Sequence, residues 1–489
     1  MTLTLTNTLT RSKQPFESLE PGKVRIYCCG VTVYDYCHLG HGRSYIAWDT
    51  LRRYLQWQGY QVRYVQNFTD IDDKILNRAR ETGSTMEAVA EKYTQTYFED
   101  MARLNVLEAD EYPRATHTLN GILRLIHELE TKGYAYASEG DVYYQVRQFK
   151  DYGKLSGRKF DEMQAGASGR VAESAEESKK KDPFDFALWK GAKPDEPSWE
   201  SPWGKGRPGW HIECSAMVRD CLGETIDIHC GGADLVFPHH ENEVAQSEAV
   251  TGQPLANYWL HNGFVTVNGE KMSKSLGNFT TIRDLLDSEN GPEPMALRLF
   301  VLQAQYRKPI DFTPEAIASA QRSWNTLKEG LSFGYKQGQT WGWDAQQARS
   351  EDLNPESVAN FNRAMDDDLN TSGALAVLFE LAKGLNREQN RLIHEGKTAV
   401  DPEQLYRQWY TLVSLSQVLG LEVENETPSA SEGSQLSDEE IEAAIAARQA
   451  ARKAKNFAEA DRLRDDLQNQ GITLIDQPGG LTQWHRHIH

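Results

Sequence analysis

The chain has 489 residues, 39% hydrophobic and 25% charged, with a formal net charge of -18 and a mean hydropathy of -0.63; that length allows several domains around a large core. No run reaches the roughly 18 apolar residues of a membrane span, and MTLTLTNTLTRSKQPF carries no signal- or transit-peptide pattern, so a cytoplasmic protein without a membrane partner is expected. The acidic balance excludes a general polyanion binder but not a nucleic acid held by a local basic patch, and six irregularly spaced cysteines predict reduced thiols or metal ligands, not a disulfide framework.

The first strong element is a buried strand in GKVRIYCCGVTVYD, followed by a helix in GHGRSYIAWDTLRRYLQWQG that closes at Gly59. YQVRYVQNFTDIDDKILNRARETG repeats the strand-to-helix step. Two such steps predict an α/β fold with a doubly wound, Rossmann-type parallel sheet. From about Pro113 to Pro208 the pattern weakens, and VAESAEESKKKDPFD reads as a flexible loop. ETIDIHCGGADLVF resumes the sheet, so the middle region reads as an insertion. A helical bundle is expected from Pro314 to Gly420, and the polar break NETPSASEGSQLSDEE precedes a helix pair with a short tail. The expected divisions are 1–112 and 209–313 for the split domain, 113–208 for the insertion, 314–423 for the bundle and 424–489 for the C-terminal unit.

Chemistry concentrates in a few stretches. HLGH, His38 to His41, sits where strand passes into helix. Free backbone N–H groups and the helix dipole favour a phosphate there, and Gly40 would permit close approach; a capping or core pair is the bland alternative. KMSKS, Lys271 to Ser275, offers Lys271 and Lys274 as a cationic loop for a phosphoryl group that develops charge. In FPHHENE, Pro238 suits a first helical position, and His239 with Glu243 shares one face at i and i+4. His240 with Glu243 at i+3 is equally open on spacing. Either pair is half of a zinc site, with thiolates as natural partners.

HLGH and KMSKS together resemble the class I aminoacyl-tRNA synthetases. YCCGVTVYDYCHLGHGR, NFTDIDDKI, YPRATHT, GWHIECSAM, IDIHCGGADLVFPHHENEVAQSEA and YWLHNGFVTVNGEKMSKSLGN are similar to the cysteinyl-tRNA synthetases among them. The resemblance implies ATP-dependent activation of L-cysteine with Mg²⁺ and transfer to the 3′ end of tRNA(Cys). It implies one Zn²⁺ on Cys29, Cys214, His239 and Glu243, leaving Cys28, Cys37, Cys221 and Cys230 as core thiols. It assigns catalysis to His38, His41, Lys271 and Lys274, and ATP contacts to Gly40, His41, Gly231, Asp234 and Lys274. Thr69, Trp210 and His229 would surround the amino acid; read alone, they are a helix cap, a packing residue and a buried histidine.

The C-terminal helix pair gathers Arg448, Arg452, Lys453, Lys455, Arg462 and Arg464, ahead of a stackable Trp484. Phosphate contact plus base stacking suits RNA, and the resemblance implies anticodon contacts here, with Arg452, Lys455 and Trp484 as the residues expected to touch it. A monomer is expected. A zinc hydrolase is disfavoured, because His-x3-Glu lacks the second histidine and general base of an HExxH helix.

Overall fold

In the computed structural model, the structure describes residues 2–159, 179–194, 196–272, 278–343, 350–423, 438–454, 456–469, 472–476 and 482–486. They form two compact units, Met1–Val423 and Glu424–His489. No described helix is long and apolar enough to cross a membrane.

The first unit opens with an antiparallel hairpin, β1 (Thr4–Asn7) and β2 (Ser12–Pro15). Then come β3 (Lys23–Cys28), α1 (Leu39–Trp57), β4 (Gln61–Gln66), α2 (Asp73–Thr82) and α3 (Met86–Arg103). The region expected to be weakly patterned is a helix, α4 (Leu119–Thr131), and a four-stranded antiparallel sheet. Its strands are β5 (Ala135–Ser138), β6 (Asp141–Tyr144), β7 (Phe186–Gly191) and β8 (Gly206–Pro208). Its aromatic runs were strand signals, and Tyr143, Tyr144 and Trp189 are buried. Most of the charged stretch read as a loop, 171–178, lies outside the described residues.

The chain returns through α5 (Trp210–Leu222), β9 (Ile226–Gly232), α6 (Glu241–Thr251) and β10 (Ala256–Asn262). The central sheet runs β10-β9-β3-β4, and every pairing is parallel. Val24, Ile26, Tyr27, Ile226, Ile228 and Leu260 are fully buried, as a parallel sheet covered on both faces requires. From β3 the chain moves to β4 on one side, and later to β9 and β10 on the other. The order therefore switches between β3 and β9, where open α/β sheets form a ligand crevice at their carboxyl ends.

Beyond β10 lie β11 (Val265–Val267), β12 (Glu270–Lys271), α7 (Ile282–Leu286), α8 (Pro294–Leu302) and β13 (Ile310–Phe312). The three short strands make a sheet ordered β12-β11-β13. The helices α9 (Pro314–Trp341), α10 (Pro355–Met365), α11 (Thr371–Glu395) and α12 (Pro402–Val418) follow. Their starts are capped by Thr313, Asn354, Asn370 and Asp401, whose side chains accept first-turn N–H groups. Trp324, Leu327, Leu378, Leu385, Trp409 and Leu412 fill the bundle core.

The second unit contains α13 (Asp438–Lys453), α14 (Phe457–Asn469) and an antiparallel hairpin of β14 (Ile472–Asp476) and β15 (Thr482–Arg486). Ile441, Ile445, Leu467 and Ile472 form its small core. The expected helix pair is present, but the tail is a strand: Trp484 pairs with Leu474.

Candidate active site and metal cluster

Cys29 directly follows β3, Cys214 lies in α5, and Glu243 lies in the first turn of α6. Pro238 does not open that helix. It belongs to a turn, Val236–His240, in which Phe237 is extended, and α6 begins only at Glu241. His239 is nonetheless delivered to the same place. Its Nε2 is 3.0 Å from Glu243 Oε1, Cys29 Sγ is 3.5 Å from Glu243 Oε1, and the two sulfurs are 3.8 Å apart. All four residues are buried, and their ligating atoms lie within 4.8 Å of one another. A second set, Cys29, His229, His240 and Glu243, meets the same limit, so the choice between His239 and His240 that spacing left open reappears in three dimensions.

The electrostatics fit a cation-binding cluster. A hydrogen bond from Cys29 holds Cys214 down to about 6, while burial pushes Cys29 up. Burial opposes protonation of His239, yet Glu243 and Cys214 raise it to about 9. Burial likewise opposes ionisation of Glu243, which His229 and His239 nevertheless hold well below the ordinary carboxylate range. Without a cation this carboxylate is stabilised by protons on its neighbours, and a divalent ion would replace them. Two thiols, an imidazole and a carboxylate form a donor set suited to zinc.

Surrounding groups orient these donors. His211 Nδ1 lies 3.0 Å from His239 Nδ1, and the half-buried Trp210 ring stacks on His239 at 4.2 Å. His229 Nε2 is 2.8 Å from Glu243 Oε2, and its ring stacks on Trp259 at 4.4 Å. Trp210 and His229 thus sit against the cluster itself. Thr69 is buried beside the exit of β3, where its backbone bonds Val31 and Val33. Sequence reasoning missed Asn67, whose Oδ1 accepts the Gly30 N–H at 2.8 Å and lies 3.8 Å from Cys214 Sγ. Gly30 is required there, since a Cβ would stand 1.5 Å from the Asn67 carbonyl oxygen. His261 was also missed, as was its contact with His240, a residue that spacing had offered only as a partner of Glu243. His240 Nδ1 meets His261 Nε2 at 2.8 Å, and its Nε2 is 3.3 Å from Cys29 Sγ. For His261 the sequence signal was a histidine within the otherwise apolar pattern of β10.

At the phosphate-directed end, His38 is the N-cap of α1. Its ring accepts the N–H groups of Gly40 and His41, and His41 accepts the His38 N–H. The two rings stack at 3.6 Å. Those first-turn donors, expected to be open to a phosphate, are therefore taken by an imidazole, because Nδ1 reaches N2 and N3 as a serine or aspartate oxygen would. Gly231 and Gly232, expected after a strand, are the last residues of β9. Asp234 lies two residues beyond. Lys271 closes β12, whereas Lys274 lies outside the described residues.

Of the other cysteines, Cys28, Cys37 and Cys230 are buried; Cys221 is half-exposed, 3.4 Å from Glu111. In the second unit Arg452 is exposed and Arg448 buried; Lys455 lies outside the described residues.

The profile described as "tRNA synthetases class I (C) catalytic domain" matches residues 15–322. A "DALR domain" matches 360–424, and a "Cysteinyl-tRNA ligase anticodon binding domain" matches 436–484. Among solved structures, methionyl-tRNA synthetase of Mycobacterium tuberculosis with methionyl-adenylate aligns with a TM-score of 0.55 and 15% identity, over 81% of this chain and 90% of that one. Agrobacterium radiobacter LeuRS in a ternary complex aligns at 0.57 and 12%, over 83% and 85%; such likenesses show the fold. The catalytic domain is that of a class I aminoacyl-tRNA synthetase. Cysteine–tRNA ligases of Trichodesmium erythraeum and Synechococcus elongatus are each 69% identical over 99% of this chain and 100% of their own length. The chain belongs to the cysteine–tRNA ligase family.

Proposed function

We propose that the protein activates L-cysteine with ATP and Mg²⁺ to cysteinyl-adenylate, releasing pyrophosphate, and passes the cysteinyl group to the 3′ end of tRNA(Cys). The observation that carries the reading is a buried thiol–imidazole–carboxylate cluster beside the switch point of the parallel sheet, with Cys29 following β3. Cys29, Cys214, His239 and Glu243 would hold one zinc ion, which supplies a soft acid that selects the substrate's sulfur over the hydroxyl of serine. Trp210 and His211 fix the His239 ring, and His229 fixes Glu243. Thr69, Trp210 and His229 would border the amino acid.

The substrate carboxylate is already a nucleophile, so the chain needs to orient it and stabilise charge at the α-phosphorus. His38, His41, Lys271 and Lys274 take that role, with Gly40, Gly231 and Asp234 bordering the nucleotide. Residues 1–112 and 209–313 serve as the two halves of the catalytic domain, 113–208 as a connective insertion, 314–423 as the bundle, and 424–489 as the anticodon-recognition unit, with Arg452, Lys455 and Trp484 toward the RNA. We read the protein as a cytoplasmic monomer. Pyrophosphate exchange across the twenty amino acids, with metal analysis of the same preparation, tests this: cysteine alone should support exchange, with one zinc per chain. Exchange with another amino acid, or full activity without metal, would overturn it.

A further inference from the structure

The segment bearing Lys271 and Lys274 has both ends fastened to the helix that carries His38 and His41. Downstream, Leu39 N–H donates to the Thr280 carbonyl at 3.3 Å, Ile282 N–H donates to the Cys37 carbonyl at 2.9 Å, and His38 forms an isolated bridge with Thr281. Upstream, Ser44 of α1 donates its hydroxyl to Asn262 Oδ1 at 2.9 Å, and Arg43 makes the more extensive tie. Arg43, two residues past His41, is 2% exposed. It donates to the carbonyls of Phe264 and Lys308, and at 3.1 Å to that of Tyr306.

Those carbonyls flank the entry to β11 and its partner β13. Phe264 O also accepts the Ile310 N–H at 3.0 Å, and Gly263 N–H donates to Tyr306 O at 2.8 Å. The two strands of chain pass so closely here that a Cβ on Gly263 would lie 2.6 Å from the Lys308 carbonyl. Among the described residues no carboxylate pairs with Arg43. A guanidinium buried without a counter-ion is costly unless its N–H groups are satisfied, and here backbone carbonyls from two crossing segments do so. An apolar side chain would fill the space but could not tie those segments together.

We propose that Arg43 is a positioning residue for adenylate formation: by clamping the carbonyls of Phe264, Tyr306 and Lys308 it fixes the root of the strand leading to Lys271 and Lys274 against the helix of His38 and His41. The inference rests on the reading that these lysines act on the nucleotide's phosphates. A second support of the same strand lies on the surface. Asp311 accepts Thr266 Oγ1 at 2.7 Å and Gly269 N–H at 2.9 Å, holding the turn between β11 and β12.

The test is cysteine-dependent pyrophosphate exchange by the full-length protein carrying Arg43→Lys, Asp311→Ala or Lys274→Ala, and each of the first two combined with the third. Arg43→Lys should lower kcat by up to about 10²-fold, the scale of a roughly 1 Å misplacement, with zinc content and KM for cysteine unchanged. Asp311→Ala, exposed and therefore safe for folding, should lower kcat in the same manner but less. With Lys274 already removed, either change should cost no more than about twofold further, because its effect runs through that loop. Unaltered kcat in Arg43→Lys, full multiplicative losses in the double variants, or joint loss of zinc and activity would overturn the inference. Wild-type exchange by Lys274→Ala would instead overturn the reading of the lysine, and this inference with it.

Discussion

At the proposed metal end of the site every donor is buried and met by another side chain: Glu243 alone is within 3.5 Å of His229, His239 and Cys29. At the nucleotide end His38 and His41 are half-buried and stack on each other, and the imidazole of His38 occupies the first-turn N–H groups. The first end is preorganised. Its side chains already hold one another in place, so little ordering would remain to oppose binding of a metal or thiol. The second end keeps its donors satisfied by a cap that a phosphate would have to replace.

The largest effect should come from the metal end. Cys214→Ser should lose zinc and reduce cysteine-dependent exchange by more than the roughly 10²-fold that removing an outer partner of a metal ligand costs. Full zinc occupancy in that variant, by elemental analysis, would break the comparison. Chelation should act alike, with activity restored by added zinc.

At the nucleotide end, His41→Ala should lower the activation rate by roughly 10² to 10³, the scale of losing one donor at developing charge, while zinc content stays whole. Parallel loss of metal would mean that the two ends are not separate. The second unit supplies a contrast of another kind. Ending the chain after Gly433 should leave pyrophosphate exchange intact and weaken tRNA charging, since every proposed adenylation residue lies in the first compact unit. Equal charging by the shortened protein would remove the RNA role of that unit.

The smallest effect concerns stability near the nucleotide end, where Arg283 of α7 pairs with Asp100 of α3 at 2.7 Å. Burial, partly opposed by Arg283, raises Asp100 from 3.8 to about 6. The folded state therefore holds this proton more tightly than the unfolded chain. Its contribution to stability is complete below about pH 4 and is lost as pH rises toward 6. Asp100→Asn should flatten that part of the denaturation midpoint against pH; an unchanged slope would show that Asp100 does not titrate there.

Local pattern was enough for the alternation of strand and helix around β3, α1 and β4, for the bundle, and for the paired helices α13 and α14, because periodicity of side chains reflects which faces are buried. It was not enough for the insertion, whose strands pair with one another across long separations, or for Trp484, whose strand exists only through its partner β14. The cluster itself is the clearest case. His239 and Glu243 are neighbours along the chain, but Cys29 and Cys214 join them only because parallel pairing of β3 with β9 brings the end of one strand to the helices flanking the other. Residue types and short spacings named the kinds of donor present. Which atoms stand within bonding distance, and which carbonyls Arg43 holds, depends on contacts hundreds of residues apart in sequence, and only the folded backbone decides those.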